Sequence, residues 1–132
     1  MERQPARIDA PAEWRSALTG ISSGFLLYET VTGLAIMLLP FSPFNQFNVL
    51  LHTILGIAMI IPVIWYCIRH WAVRRKGNLS HYQLLGYISV ALLLACIVSG
   101  VVLTWQGIVG PVIGATWDTV HLVTGFAMAV FI

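Results

Sequence analysis

The sequence predicts an all-α protein that spans a membrane as a four-helix bundle, and three observations predict it. Of its 132 residues, 58% are apolar and only 9% are charged, where a soluble domain carries about a quarter charged residues. The seven basic and five acidic residues are also bunched. Glu2, Arg3, Arg7, Asp9, Glu13 and Arg15 lie at the start, Arg69, Arg74, Arg75 and Lys76 lie in the middle, and only Glu29 and Asp118 fall elsewhere. Third, the chain between these clusters divides into apolar stretches of about twenty residues, the length that crosses a hydrocarbon core roughly 30 Å thick. A nucleic-acid binder needs a basic face and a soluble enzyme a charged surface, so both classes are excluded.

Residues 1–19 form a polar amino-terminal segment with no small-residue cleavage pattern behind a short apolar core, and it is not expected to be a cleavable signal. The bundle is expected over residues 20–132. Its first span runs from about Gly20 to Leu39 and stops at Pro40 and the turn-like Phe41-Ser42-Pro43-Phe44-Asn45. The second runs from about Phe47 to His70, ahead of the basic cluster, with Pro62 placed to bend it. The third follows the polar turn Gly77-Asn78-Leu79-Ser80, extends from about Leu84 to Trp105, and ends in the Gly/Pro-rich segment 106–114. The fourth opens near Thr116 or Trp117 and is still apolar at Ile132. At about sixteen residues it reaches only about 24 Å, which predicts that the chain continues in a longer protein.

Basic residues near span ends stay on the cytoplasmic side. Arginines in the amino-terminal segment and the basic cluster after the second span therefore place both on that side, and turn the 41–46 and 106–116 connections outward. The expected location is a bacterial-type inner membrane, crossed several times, with a cytoplasmic amino terminus. Cys67 and Cys96 lie inside apolar stretches and have no pairing or metal-ligand spacing.

A repeat is visible inside this frame. His52-Thr53-Ile54-Leu55-Gly56 and His121-Leu122-Val123-Thr124-Gly125 both read His-x-x-x-Gly near the outer start of an even-numbered span. Thr32-Gly33 precedes His52 and Ser99-Gly100 precedes His121 at nearly equal separations. The pattern predicts a helix pair written twice. His70 follows His52 by 18 residues, five turns of a helix, so both imidazoles project from one stripe, about 27 Å apart.

Neutral imidazoles facing each other in lipid suit an iron-bearing cofactor, because an intramembrane ionisable group ordinarily faces a functional partner. Haem is a large apolar disc that facing helices can hold, with two histidines in its axial positions. Glycines supply backbone surface against which a flat ring can lie. Gly33 and Gly100 fall at the depth of His52 and His121, and Gly20, Gly24 and Gly86 fall nearer His70, which predicts two stacked haems.

On these residues the chain resembles the membrane di-haem cytochrome b proteins: the four-helix cytochrome-b subunits of formate dehydrogenase and thiosulfate reductase, and more distantly the amino-terminal half of the cytochrome b of quinol–cytochrome c reductase. The carrying features are the two His-x-x-x-Gly motifs, His70 followed by Trp71 and basic residues, and the paired glycines of the odd-numbered spans. The resemblance covers about residues 20–132. It implies an outer haem b between His52 and His121 and an inner one with His70 as a ligand, whose partner the duplication would place about seven residues beyond Ile132. It also implies electron transfer between a quinone pool and a c-type cytochrome or iron–sulfur subunit. The interval between His52 and His70 is longer than in the respiratory cytochrome b.

Glu29 sits near the middle of the first span, where an ionised carboxylate costs at least about 2.5 to 3.5 kcal/mol unless it is paired or protonated, so it is expected to point inward or to be neutral. It is expected to relay a proton or to hydrogen-bond within the bundle to Tyr28, Thr30 or Thr32. His81 reads as a loop residue at the surface, Arg69, Arg74, Arg75 and Lys76 as headgroup anchors, and Asp118 as a cap of the fourth helix. Trp14, Trp65, Trp71, Trp105 and Trp117 read as interfacial aromatics. The competing reading of the same residues is a small transporter or membrane scaffold with structural histidines and a proton path through Glu29.

Overall fold

The computed structural model describes residues 17–74, 81–110 and 112–131. The amino-terminal sixteen residues with Trp14, the cluster residues Arg75 and Lys76, and the polar turn at 77–80 lie outside the described residues. Four helices account for the described chain: α1 (Ala17–Leu38), α2 (Pro43–Arg74), α3 (His81–Val109) and α4 (Ala115–Phe131). The first three are long and apolar enough to cross a membrane. Helix α4, with 17 residues, reaches about 26 Å.

Five boundaries fall three or four residues outside the sequence expectation: the starts of α1, α2 and α3 and the ends of α2 and α3. The first turn is confined to residues 39–42, because Ser42 and Pro43 start a helix where a stop was expected. The Ser42 hydroxyl accepts the Asn45 N–H at 3.2 Å and its carbonyl accepts the Gln46 N–H at 2.9 Å, so Ser42 is the N-cap. Pro43 then occupies the first helical position, where its missing N–H costs nothing and its fixed φ is already helical. Helix α3 continues through Gly107 to Val109, consistent with the tolerance of glycine in membrane helices. It also begins at His81, which places that residue in the first turn of the helix and not in the loop. Pro62 lies inside α2, and the helix runs on through it.

Packing follows the logic of a lipid-facing fold. Among the described residues, the buried side chains are mainly small and polar: Ser22 and Thr32 on α1, Asn45 on α2, Ser99 on α3 and Thr124 on α4, with Val63 and Met128 the buried apolar ones. The large apolar residues instead point outward, as Ile61, Phe41 and Val130 do at 79%, 88% and 83% exposure. Lipid tails provide no hydrophobic drive between helices, so close backbone approach across small residues takes over. The hydroxyls of Thr32, Ser99 and Thr124 each donate to the carbonyl one turn back, at 2.8, 2.8 and 2.7 Å. No hydrogen of these hydroxyls is then left facing hydrocarbon.

The chain forms two antiparallel hairpins, α1 with α2 and α3 with α4, which touch each other less extensively than their own halves do. The first hairpin is clamped at its turn. The buried Asn45 donates from Nδ2 to the carbonyls of Ile36 and Leu39 at 3.3 and 3.2 Å, and Asn48 donates to the Thr32 carbonyl at 3.1 Å. At the second turn, the Gln106 side chain accepts the Gly114 N–H at 2.8 Å. Both turns lie at the same end of the bundle, and His52 of α2 and His121 of α4 lie a short way inside it.

Candidate functional site

His52 and His121 come together from different hairpins. Their ring centroids are 6.2 Å apart with planes at 84°. Each ring is gripped from the preceding helix of its own hairpin, and on Nδ1 in both cases.

Around His52, Nδ1 lies 2.8 Å from Glu29 Oε2 and 2.9 Å from the Thr32 hydroxyl. The Thr32 hydroxyl has its one hydrogen directed at the Tyr28 carbonyl, so toward the ring it presents a lone pair. Around His121, Nδ1 lies 3.0 Å from the Cys96 carbonyl and 3.2 Å from the Ser99 hydroxyl, with Cys96 Sγ at 3.7 Å. A carbonyl can only accept, and the Ser99 hydrogen is directed at the Ala95 carbonyl. Both rings are therefore assigned the tautomer with the proton on Nδ1. Nε2 of each carries the free lone pair.

Gly33 and Gly100 lie directly beside these rings. A Cβ on Gly33 would lie 3.4 Å from His52 Cε1, and one on Gly100 would lie 3.0 Å from His121 Cε1 and 3.3 Å from its Nδ1. The glycines of the two His-x-x-x-Gly motifs lie instead against the neighbouring helix. A Cβ on Gly56 would meet Glu29 Oε2 at 3.5 Å, and one on Gly125 would meet Cys96 Sγ at 4.0 Å. One spacing thus recurs, with Glu29, Thr32 and Gly33 around His52 matched by Cys96, Ser99 and Gly100 around His121. The dipeptides Thr32-Gly33 and Ser99-Gly100 stood out in the sequence, but Cys96 did not. Its separation of three residues from Ser99, equal to that of Glu29 from Thr32, was the available signal.

The remaining expectations divide. Glu29 does point inward, but its side-chain partner is His52; the Thr32 hydroxyl meets the Glu29 backbone carbonyl instead, at 3.2 Å. Its second oxygen, Oε1, is buried and has no hydrogen-bond partner. His70 is half-buried on the stripe of α2 that carries His52, and its ring stacks on Tyr66 at 5.8 Å and 27°. Gly24 lines a recess of about 330 Å³ with Gly20, Ile21, Phe25, Tyr28 and Leu55. Gly86 is exposed, and a Cβ there would meet nothing within 4 Å. Asp118 is not the cap of α4, because the Gly114 carbonyl accepts the Asp118 N–H at 3.2 Å and puts Asp118 one turn in. Arg69, Trp65, Trp71, Trp105 and Trp117 are all exposed on the outer surface.

No known protein family, curated protein or solved structure matches this chain. Among the described residues, no group of three or more His, Cys, Asp and Glu side chains forms a metal site.

Proposed function

We propose that the protein is a membrane b-type cytochrome whose His52 and His121 are the two axial ligands of one haem. The observation that carries the reading is the pair of inward imidazoles, both held through Nδ1, with Nε2 left free on each. Metal-bound histidines ordinarily donate their other ring N–H to a carboxylate or a backbone carbonyl, and these two do one of each.

The residues present fit the group on three counts. Two neutral imidazoles are the donor set that a six-coordinate haem takes from a protein, and its porphyrin supplies the other four nitrogens. Two imidazoles on opposite sides of one iron have ring centres about 6 Å apart, from metal–nitrogen bonds of roughly 2 Å and about 1 Å from each nitrogen to its ring centre. The observed separation is 6.2 Å. Finally, the ligands come from two hairpins that touch less than their own halves do, and their meeting line is where a disc can enter.

When bound, the haem supplies a one-electron carrier within the bilayer. The chain's own residues hold the imidazoles in one tautomer, fix the ring positions through Gly33 and Gly100, and surround the site with apolar helices that keep water out. His70, on the same stripe toward the opposite end of α2, is the proposed ligand of a second haem, with Gly24 in its layer. Exchange with a quinone and with a c-type cytochrome or iron–sulfur subunit, in a bacterial-type inner membrane with a cytoplasmic amino terminus, completes the proposal. The recurrence of contacts in the two hairpins supports their origin as a duplicated pair.

The test is the reduced-minus-oxidised visible spectrum of the purified protein. Sharp b-type bands that disappear in the double variant His52→Ala, His121→Ala are expected. A colourless but stable protein overturns the reading in favour of a transporter or scaffold.

A further inference from the structure

We infer that Glu29 is a positioning residue that makes the two axial imidazoles unequal, so that His52 is the stronger ligand of the pair and the site favours the oxidised iron. The inference rests on the haem reading and adds to it a determinant of the potential.

The two Nδ1 positions share a plan, and differ chiefly in the second acceptor and in the Cys96 thiol, whose Sγ lies 3.7 Å from His121 Nδ1. Each receives a hydroxyl whose hydrogen is turned away, from Thr32 in one hairpin and Ser99 in the other. Each lies beside a glycine that makes room for the ring. The second acceptor differs, because His121 has the Cys96 carbonyl at 3.0 Å and His52 has the Glu29 carboxylate at 2.8 Å. With Nε2 taken by a metal, the remaining ring proton is on Nδ1, so the carboxylate must accept it. A charged acceptor makes a hydrogen bond about twice as strong as a neutral one and draws the ring toward imidazolate character.

Two further features concentrate the effect. Glu29 Oε1 is buried without a hydrogen-bond partner, so no second donor drains charge from the carboxylate. Glu29 and His52 are also only 20% and 21% exposed, within an apolar bundle where electrostatic effects are screened less than in water. Gly56 leaves the space the carboxylate occupies. Oxidised iron in a porphyrin carries one more positive charge than reduced iron, and an anionic acceptor behind its ligand therefore prefers it.

Spectroelectrochemical titration at one fixed pH tests the inference in wild type, Glu29→Gln, Glu29→Asp and Ser99→Ala, with haem content measured in parallel. Outer-shell partners of metal ligands typically matter about 10- to 100-fold. Glu29→Gln should weaken the preference for oxidised iron at least tenfold, a midpoint rise of about 59 mV for a one-electron couple. Glu29→Asp, which keeps the charge, should fall between Gln and wild type, and Ser99→Ala should stay within about threefold of wild type. A haem-loaded Gln variant within threefold of wild type overturns the inference, as does an Asp variant shifted as far as Gln. A Gln variant that holds no haem also overturns it, because the carboxylate would then be needed for binding and not for tuning. Wild type without haem overturns the haem reading itself.

Discussion

Gly100 and Gly33 are equivalent in sequence but not in space, and replacing each by alanine separates a ring-seating role from a helix-packing one. At Gly100 the new Cβ would stand 3.0 Å from His121 Cε1, whereas carbon atoms rest at about 3.5 to 4.0 Å. The ring must retreat by about 0.5 Å or more, which lengthens its 3.2 Å contact with the Ser99 hydroxyl beyond hydrogen-bond range. Losing that bond costs about 1 kcal/mol, or roughly fivefold in haem affinity. At Gly33 the new Cβ would stand 3.4 Å from His52 Cε1, so a shift of about 0.1 Å suffices and affinity should change less than about twofold. In both variants Gly→Ala inside a helix favours helix formation by about 1 kcal/mol, so a loss of haem at unchanged helical content reports on the seating of the ring. The assay is haem titration of the detergent-solubilised apoprotein, followed at the Soret band, with helical content checked by circular dichroism. Equal affinities for Gly100→Ala and Gly33→Ala would refute the reasoning.

Asn45→Ala removes the donor that serves the Ile36 and Leu39 carbonyls at the α1–α2 turn, and a membrane hydrogen-bond site of this kind contributes about 1 kcal/mol. Unfolding in mixed micelles should show that loss, and an unchanged transition would contradict the clamp. His70→Ala should lower the haem-to-chain ratio of the protein while leaving the His52–His121 haem in place. A ratio unaffected by the substitution would remove His70 from the ligand set.

The spans were legible because their signal is additive over about twenty residues, and no single misjudged position can hide it. Boundaries were less so: Pro43 reads as part of a turn, yet its fixed φ begins a helix when Ser42 stands before it. The proximity of His52 and His121 is legible from the repetition of their motif. Which atoms hold those rings is not. Helices that are apolar on almost every face give little periodicity, so the sequence does not say that Glu29, Thr32, Cys96 and Ser99 turn toward the imidazoles. Asn45 reads as a turn residue in the sequence because the helix start at Pro43 is not legible there.

The most direct test is the electron paramagnetic resonance spectrum of the oxidised protein reconstituted with one haem per chain. A bis-imidazole site requires a low-spin six-coordinate signal in wild type, converted to high spin by His52→Ala alone and by His121→Ala alone, since each leaves iron one axial ligand short. A low-spin signal that survives either substitution, or no haem signal at all, would contradict the account.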